Sequence, residues 1–170
     1  IMLEPKALFA AKGEVPTGDH FVRCGLARVA RQGRDITIVS AGQLVHRSLE
    51  AAEKLAAEGI EAEVIDLRTI IPLDVGTVAA SVAKTHRLLV VDEGWGAFGV
   101  GAELAQAMNE LAYDELDAPV GRLHSEAQPH PLAPALERAM LVDTDKIVAG
   151  VRSVIAGASP VPRHWRYLGG

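Results

Sequence analysis

The sequence predicts an α/β protein of three layers, α/β/α. At its centre is a mixed five-stranded sheet, mostly parallel with an antiparallel first strand. Three observations carry this. Short apolar runs alternate with helical spacings from residue 21 to residue 157. The run Leu88 to Val91 is unbroken, as in strands buried on both faces. A strand, a glycine turn and a helix follow one another from Arg87 to Met108. Repeated strand–helix units joined by right-handed crossovers make a parallel sheet with helices on both faces.

Taken in order, residues 1–20 look unlike the start of a domain. Pro5 interrupts an apolar stub, and Gly13, Pro16 and Gly18 break the stretch after it. They read as the end of a preceding domain with its linker, or as a floppy terminus. Phe21 to Arg31 suits an edge strand with Arg23, Arg28 and Arg31 outward, turned at Gly33 into an antiparallel hairpin with the next strand. That strand is Ile36 to Ser40. A helix from Gln43 to Glu58 buries Leu44, Val45, Leu49, Ala52 and Leu55. Glu50 and Lys54 form an i,i+4 pair on its wet side, and Gly59 stops it.

Ala62 to Leu67 is the third strand. Asp74 caps a helix that runs to Thr85, with Lys84, His86 and Arg87 at its negative end. The fourth strand is Leu88 to Val91, and its helix reaches Leu116. Pro119 to His124 is a short fifth strand. A short helix covers Pro134 to Ala139, and a last one Thr144 to Ala156. The domain thus spans residues 21–157, and residues 158–170 form an irregular tail, disordered or laid on a partner.

At 170 residues this is one domain with an arm, and 49 % hydrophobic residues suffice for a core. A net charge of −5 argues against nucleic acid and more readily accommodates a basic partner. The single cysteine, Cys24, excludes an internal disulfide, reads as a buried inert thiol and fits a reducing cytoplasm. No apolar run approaches the ~18 residues of a membrane span.

Two stretches could carry chemistry. Gly94, Gly96 and Gly99 fit G-x-G-x-x-G between a strand and a helix, where backbone amides cradle a pyrophosphate. Asp92 and Glu93 put negative charge beside that anion, however, and Trp95 blocks its approach, so the turn reads as a structural corner. The strand ends gather Asp66, Arg68, Asp92, Glu93, His124 and Glu126, with His130 in the next loop. Acids and histidines can hold a divalent ion or move protons. With no H-x-x-x-H spacing and no glycine-framed serine, they read as loop-end charges in solvent or facing another domain. His46 and His86 read as surface residues. Glu110, Asp114, Glu115 and Asp117 are either an ordinary wet face or a docking patch for a basic partner.

The run ITIVSAGQLVHRSLEAAEKLAAEGIEAEVIDLRTIIPLD resembles the C-terminal domain of transketolase-like enzymes. LEPKALF, KGEVP, RLLVVDEGWGAFGVGAELAQAMNE and DAPVGRLHSEAQPHPLAPALE narrow the resemblance. They are similar to the β subunit of thiamine-diphosphate-dependent 2-oxo acid dehydrogenases, the pyruvate, acetoin or branched-chain kind. The resemblance covers residues 2–156. It implies the same fold, and an arm that ends the cofactor-binding domain of the β subunit.

In that family thiamine diphosphate and magnesium lie between an α subunit and the N-terminal domain of β. The magnesium motif is G-D-G with a downstream asparagine. Here the only asparagine is Asn109, and Gly18-Asp19 is followed by His20. No catalytic, cofactor-binding or metal residue carries over, and no cofactor is expected on this chain alone.

The implied enzyme decarboxylates a 2-oxo acid and acylates a lipoyl group, the cofactor doing the hard chemistry. The implied partners are the N-terminal half of the same β subunit, the α subunit in an α2β2 tetramer, a second β subunit and the acyltransferase core. Neither nucleic acid nor membrane is among them. Two alternatives are the matching domain of a transketolase or deoxyxylulose-phosphate synthase, and a stand-alone nucleotide-binding domain using the Gly94–Gly99 turn.

Overall fold

The unbroken apolar runs of the sequence become the central strands of a sheet, in a computed structural model that describes residues 1–158 and 160. The strands are β1 (Arg28–Arg31), β2 (Ile36–Ser40), β3 (Ala62–Asp66), β4 (Leu88–Trp95) and β5 (Gly121–Ser125). The helices are α1 (Gln43–Ala56), α2 (Val75–Thr85), α3 (Val100–Leu111), α4 (Pro134–Met140) and α5 (Thr144–Ile155). Among the described residues the sheet has five strands in the order β1-β3-β2-β4-β5. β1 runs antiparallel to β3, and every other pairing is parallel.

Side chains alternate across a strand, so each central strand feeds two cores. Ile36, Ile38, Val64, Leu89 and Val91 face α1 and α5, meeting Leu44, Leu55, Ile147 and Val151. Val39, Ile65, Leu88 and Val90 face α2 and α3, meeting Val78, Val82, Leu104 and Met108. All of these are fully or almost fully buried. At about 1.5–3 kcal/mol for each large apolar side chain removed from water, these two layers hold the fold.

One polar network crosses the second core. Thr37 Oγ1 lies 2.6 Å from the hydroxyls of both Ser81 and Thr85. Ser81 donates to Glu63 Oε1 at 2.5 Å, and Lys84 pairs with the other carboxylate oxygen. Glu63 is only 2 % exposed, so these partners answer the cost of burying its charge.

The structure departs from the sequence expectations at several points. The hairpin between the first two strands does not form, because both edges of β2 are taken by parallel partners, β3 and β4. The chain instead crosses at Gly33 to the far side of β3. A Cβ on Gly33 would stand 2.2 Å from the Ala62 carbonyl carbon, so only glycine fits. The strand also starts later than expected, at Arg28, and Cys24 is exposed, not buried.

Lys54 does not pair with Glu50. Lys54 bonds Asp145 at 2.8 Å, and Glu50 accepts from Thr144 at 2.8 Å, so both turn toward the start of α5. Helix α3 ends at Leu111, not Leu116. Ala112 leaves helical geometry at φ −144°, and Tyr113–Glu115 forms a 3₁₀ turn. Within the arm, Lys6–Leu8 is a 3₁₀ turn, and the Pro5 ring lies 3.4 Å from where Gly42 would carry a Cβ. Most of the expected tail lies outside the described residues. No described helix is long and apolar enough to cross a membrane.

Candidate functional site

In a parallel sheet, loops that leave the carboxyl ends of the strands form the surface where function gathers. Here the chain order turns at β2 and β4, so the loops after Ser40 and Asp92 flank the switch point.

After β3, Arg68 has φ 57°, and its amide donates to Asp66 Oδ1 at 3.1 Å. The Asp66 carboxylate also faces the guanidinium groups of Arg28 at 3.8 Å and Arg68 at 4.0 Å. Its charge is spent within the fold.

After the apolar run of β4, the strand does not stop at the acids. It continues to Trp95 through an irregularity against β5 between Asp92 and Trp95. Such a bulge re-aims the side chains around it. Asp92 Oδ1 accepts the amide of Gly94 at 3.0 Å. Its carboxylate lies 3.3–3.4 Å from where Gly94 and Gly99 would carry a Cβ. Gly99 is the N-cap of α3, so a carboxylate of the chain itself sits where a bound phosphate would approach. The glycine turn is a self-satisfied corner.

β5 supports that corner from beside it. Arg122, 8 % exposed, donates from Nη1 to the carbonyl of Gly96 at 3.1 Å. Burial pulls its guanidinium below the ordinary arginine range, though not to where arginine loses its charge in proteins. His124, with 2 % of its side chain exposed, places Nδ1 3.7 Å from Asp92 Oδ2. Its ring packs on Gly101 of α3, where a Cβ would stand 2.6 Å from Cε1.

Of the strand-end residues named from sequence, the structure therefore brings Asp92 and His124 together, and Asp66 and Arg68. It does not bring His130 to them. His130 bonds Glu137 of α4 at 2.9 Å, and the Glu126 amide bonds the carbonyl of Met140. Glu93 and His46 are exposed. Among the described residues no three His, Cys, Asp or Glu side chains group to hold a metal ion. Among the described residues no magnesium–diphosphate cradle is present: the Asp92 carboxylate stands beside the start of α3, and Asn109 lies near the other end of that helix.

The loops also turn large apolar side chains outward. Ile71, Phe98 and Leu132 are nine-tenths or more exposed, and Ile70 and Trp95 about half. Phe98 also holds φ 58°, a left-handed conformation that is strained for a bulky aromatic residue.

The acidic stretch lies at the opposite, amino-terminal ends of β4 and β5. Arg87 Nη2 pairs with Asp117 at 3.3 Å, and His86 Nδ1 lies 3.7 Å from the Glu115 carboxylate. Gln106 donates to Glu110 at 2.7 Å. Among the described residues Asp114 makes no such bond. Beside it a cavity of about 610 Å³ opens between α3 and the segment entering β5, lined by Ala105, Asn109, Asp114, Leu116, Asp117 and Val120 among others.

Residues 25–147 match the family described as transketolase, C-terminal domain. The chain belongs to this family. The matched stretch begins just before β1 and ends within α5, and so takes in the whole sheet.

Relatives of this transketolase C-terminal domain include the mitochondrial pyruvate dehydrogenase E1 component subunit beta of Dictyostelium discoideum. It is 46 % identical over 136 residues, which are 80 % of this chain and 38 % of that one. The acetoin:2,6-dichlorophenolindophenol oxidoreductase subunit beta of Cupriavidus necator is 40 % identical over 157 residues, 92 % of this chain and 46 % of that one. Among solved structures, a split-gene transketolase in an inactive β4 tetramer superposes with a TM-score of 0.74 at 27 % identity. That match covers 85 % of this chain and 47 % of that one. The chain thus spans less than half the length of each of these relatives.

For this transketolase C-terminal domain, sequence reading missed three contributors: Arg122, Gly101 and the outward Trp95–Phe98 pair. The last had a signal. Two aromatic residues stand in one glycine turn of a chain that is only 4 % aromatic.

Proposed function

We propose that this chain is the C-terminal assembly domain of the β subunit of a thiamine-diphosphate-dependent 2-oxo acid dehydrogenase. The observation that carries this is the pair of opposites at the strand ends. Asp66 faces Arg28 and Arg68, Asp92 takes the Gly94 amide and lies 3.7 Å from His124 Nδ1, and Trp95, Phe98, Ile71 and Leu132 are turned out to water. A patch of that kind marks a protein interface, and the strain at Phe98 belongs to such a surface.

On this reading the face meets other subunits of an α2β2 enzyme, a second β subunit among them, and the arm continues from the N-terminal half of the same subunit. Thiamine diphosphate and magnesium are held elsewhere in the whole enzyme, and this domain has no catalytic residue of its own. The names of the two β-subunit relatives support the class of reaction. The inactive β4 assembly of the split transketolase supports a subunit that needs its partner for activity.

The acidic stretch is a finer part of the same proposal. Glu110, Asp114, Glu115 and Asp117 are all exposed, and among the described residues Arg87 pairs with Asp117 and the His86 ring lies beside Glu115. That net negative face suits the small basic domain of the acyltransferase core.

Calorimetry and reconstitution test the reading. The isolated chain should bind none of thiamine diphosphate, NAD, FAD or ATP. Combined with the upstream half of β and the α subunit, it should complete a pyruvate- or acetoin-type decarboxylase. Micromolar binding of any of these ligands by the chain alone overturns the assignment. A gene whose upstream part is much longer and carries G-D-G favours the transketolase or deoxyxylulose-phosphate synthase alternative.

A further inference from the structure

Helix α4 lies on the outside of the domain. Of its seven residues only Met140 is buried, and Leu136 on it and Leu132 just before it are 60 % and 98 % exposed. A helix this short does not stand by itself, since isolated helices under about 12–15 residues are marginal in water. Among the described residues no side chain caps its N-terminus. What fixes α4 must come from its surroundings.

Its holds gather at its C-terminal end. The Met140 side chain is enclosed, at 5 % exposure. The Glu126 amide donates to the Met140 carbonyl at 3.2 Å. The Lys146 ammonium donates to the carbonyls of Ala139 at 2.7 Å and Leu141 at 2.5 Å. The last carbonyls of a helix lack partners within it, and a cation is favoured there. Lys146 itself stands in the first turn of α5, where the dipole disfavours a cation. Its charge is placed for α4 and not for its own helix. The bond of His130 to Glu137 at 2.9 Å lies within the segment and can move with it.

The chain on either side is fixed. Ser125 is 6 % exposed and stands opposite Trp95 in the pairing of β5 with β4. Val142 is 3 % exposed and packs in the core beneath α1 and α5. Asp143 then caps α5 by accepting the Lys146 amide at 2.8 Å. Residues 126–141 thus run between two anchored points and leave the sheet beside Trp95. Segments with few buried apolar groups open at lower free energy than the whole fold.

We propose that residues 126–141 open and close as one unit while the sheet stays folded, with Lys146 as the latch. Closed, the unit sets Leu132 and Leu136 on the strand-end face; open, it withdraws them. The use of that face rests on the reading of the whole enzyme, and the latch does not.

Native-state hydrogen exchange on the full 170-residue chain tests this. The amides of Glu137 and Leu141 bond the carbonyls of Ala133 and Glu137, and the Thr37 amide bonds the Arg87 carbonyl at the centre of the sheet. The first two should exchange far faster than Thr37. Lys146→Met keeps the stem of the side chain and loses the ammonium. It should speed both α4 amides about tenfold, the worth of a lost hydrogen bond to a charged group, and leave Thr37 unchanged. Met140→Ala should act in the same direction through the other hold. In the reconstituted enzyme both α4 amides should slow several-fold.

Exchange of Glu137 and Leu141 at the rate of Thr37 overturns the proposal, since α4 then opens only with the whole fold. So does Lys146→Met if it leaves the α4 amides unchanged or speeds Thr37 equally. Exchange in the reconstituted enzyme equal to that in the free chain overturns the link to the strand-end face. A chain that does not assemble counts against the reading of the whole enzyme, and exchange in the free chain still decides the latch.

Discussion

The Asp74 carboxylate joins the amide of Ala27 to the first turn of α2. Oδ2 accepts from Ala27 at 2.8 Å, and Oδ1 accepts from the Thr77 amide at 3.0 Å. The Thr77 hydroxyl donates to it as well, at 2.7 Å. One side chain thus caps a helix and fixes where the chain enters β1, 47 residues away in sequence.

Replacing Asp74 by alanine removes the cap and leaves the Ala27 amide without its acceptor. A cap is worth about 0.5–2 kcal/mol, and the second bond about 1 kcal/mol. Urea unfolding should show a loss of about 1–3 kcal/mol.

The hydrogen bonds from Thr77 and Ala27 hold the Asp74 carboxyl below the ordinary aspartate range, with the Thr77 hydroxyl the largest cause. The folded state therefore binds this proton less readily than the unfolded chain. The contribution is full above the unfolded value near 4. It is lost as pH falls through the lower folded value. Asp74→Asn should keep most of the cap and flatten this part of the acid limb, read as unfolding midpoints between neutral pH and pH 3 or so.

Glu63 and Lys84 predict an asymmetry. Glu63 is 2 % exposed and the Lys84 side chain 44 %. Lys84→Met strands a buried carboxylate, whereas Glu63→Gln leaves an ammonium that can turn to water and keeps the Ser81 contact. Breaking a fully buried pair costs about 3–5 kcal/mol. With the lysine half in water, Lys84→Met should cost about 1–3 kcal/mol, and Glu63→Gln less. A double-mutant cycle measures both, and equal losses would refute the asymmetry.

Gly101→Ala should destabilise, although alanine is the better helix former by about 1 kcal/mol. Its Cβ would stand 2.6 Å from the His124 ring, which is already enclosed. Overpacking of this kind costs about 1–3 kcal/mol. Thermal unfolding should show a lower midpoint, and His124→Ala should bring the double variant back toward the parent.

Phe98→Asp should leave the isolated domain as stable as before, because the ring is fully exposed. It should weaken assembly with the other subunits at least tenfold, read by sedimentation of the reconstituted complex. Unchanged assembly would remove the strand-end face from the proposed interface.

The elements themselves were legible because their signals are local. The unbroken run Leu88–Val91, the stripe of α1 and the Asp74 cap each depend on neighbours within a few residues. Five strands in chain order, with helices between them, followed from those. The pairing of β1 did not, because Gly33 takes its meaning from the backbone of Ala62, 29 positions on.

The same limit applied at the site. Acids and histidines at strand ends were visible as a list, and so was the glycine turn. Whether Asp92 would face a ligand or close its own loop depended on the bulge in β4 and on Arg122 and His124 from β5. The acidic stretch looked like one patch because its members are adjacent in sequence. Folding set Arg87 and His86 beside two of them.

The sequence alone determined the strand and helix segments, the alternation that feeds two cores and the absence of a magnesium motif, since periodicity and residue type act at short range. Tertiary structure alone decided the sheet order, the pairing of Asp66 with Arg28 and Arg68, the approach of His124 to Asp92 and the outward turn of Trp95 and Phe98. Those depend on contacts between residues far apart in the chain, and no local pattern encodes which of them meet.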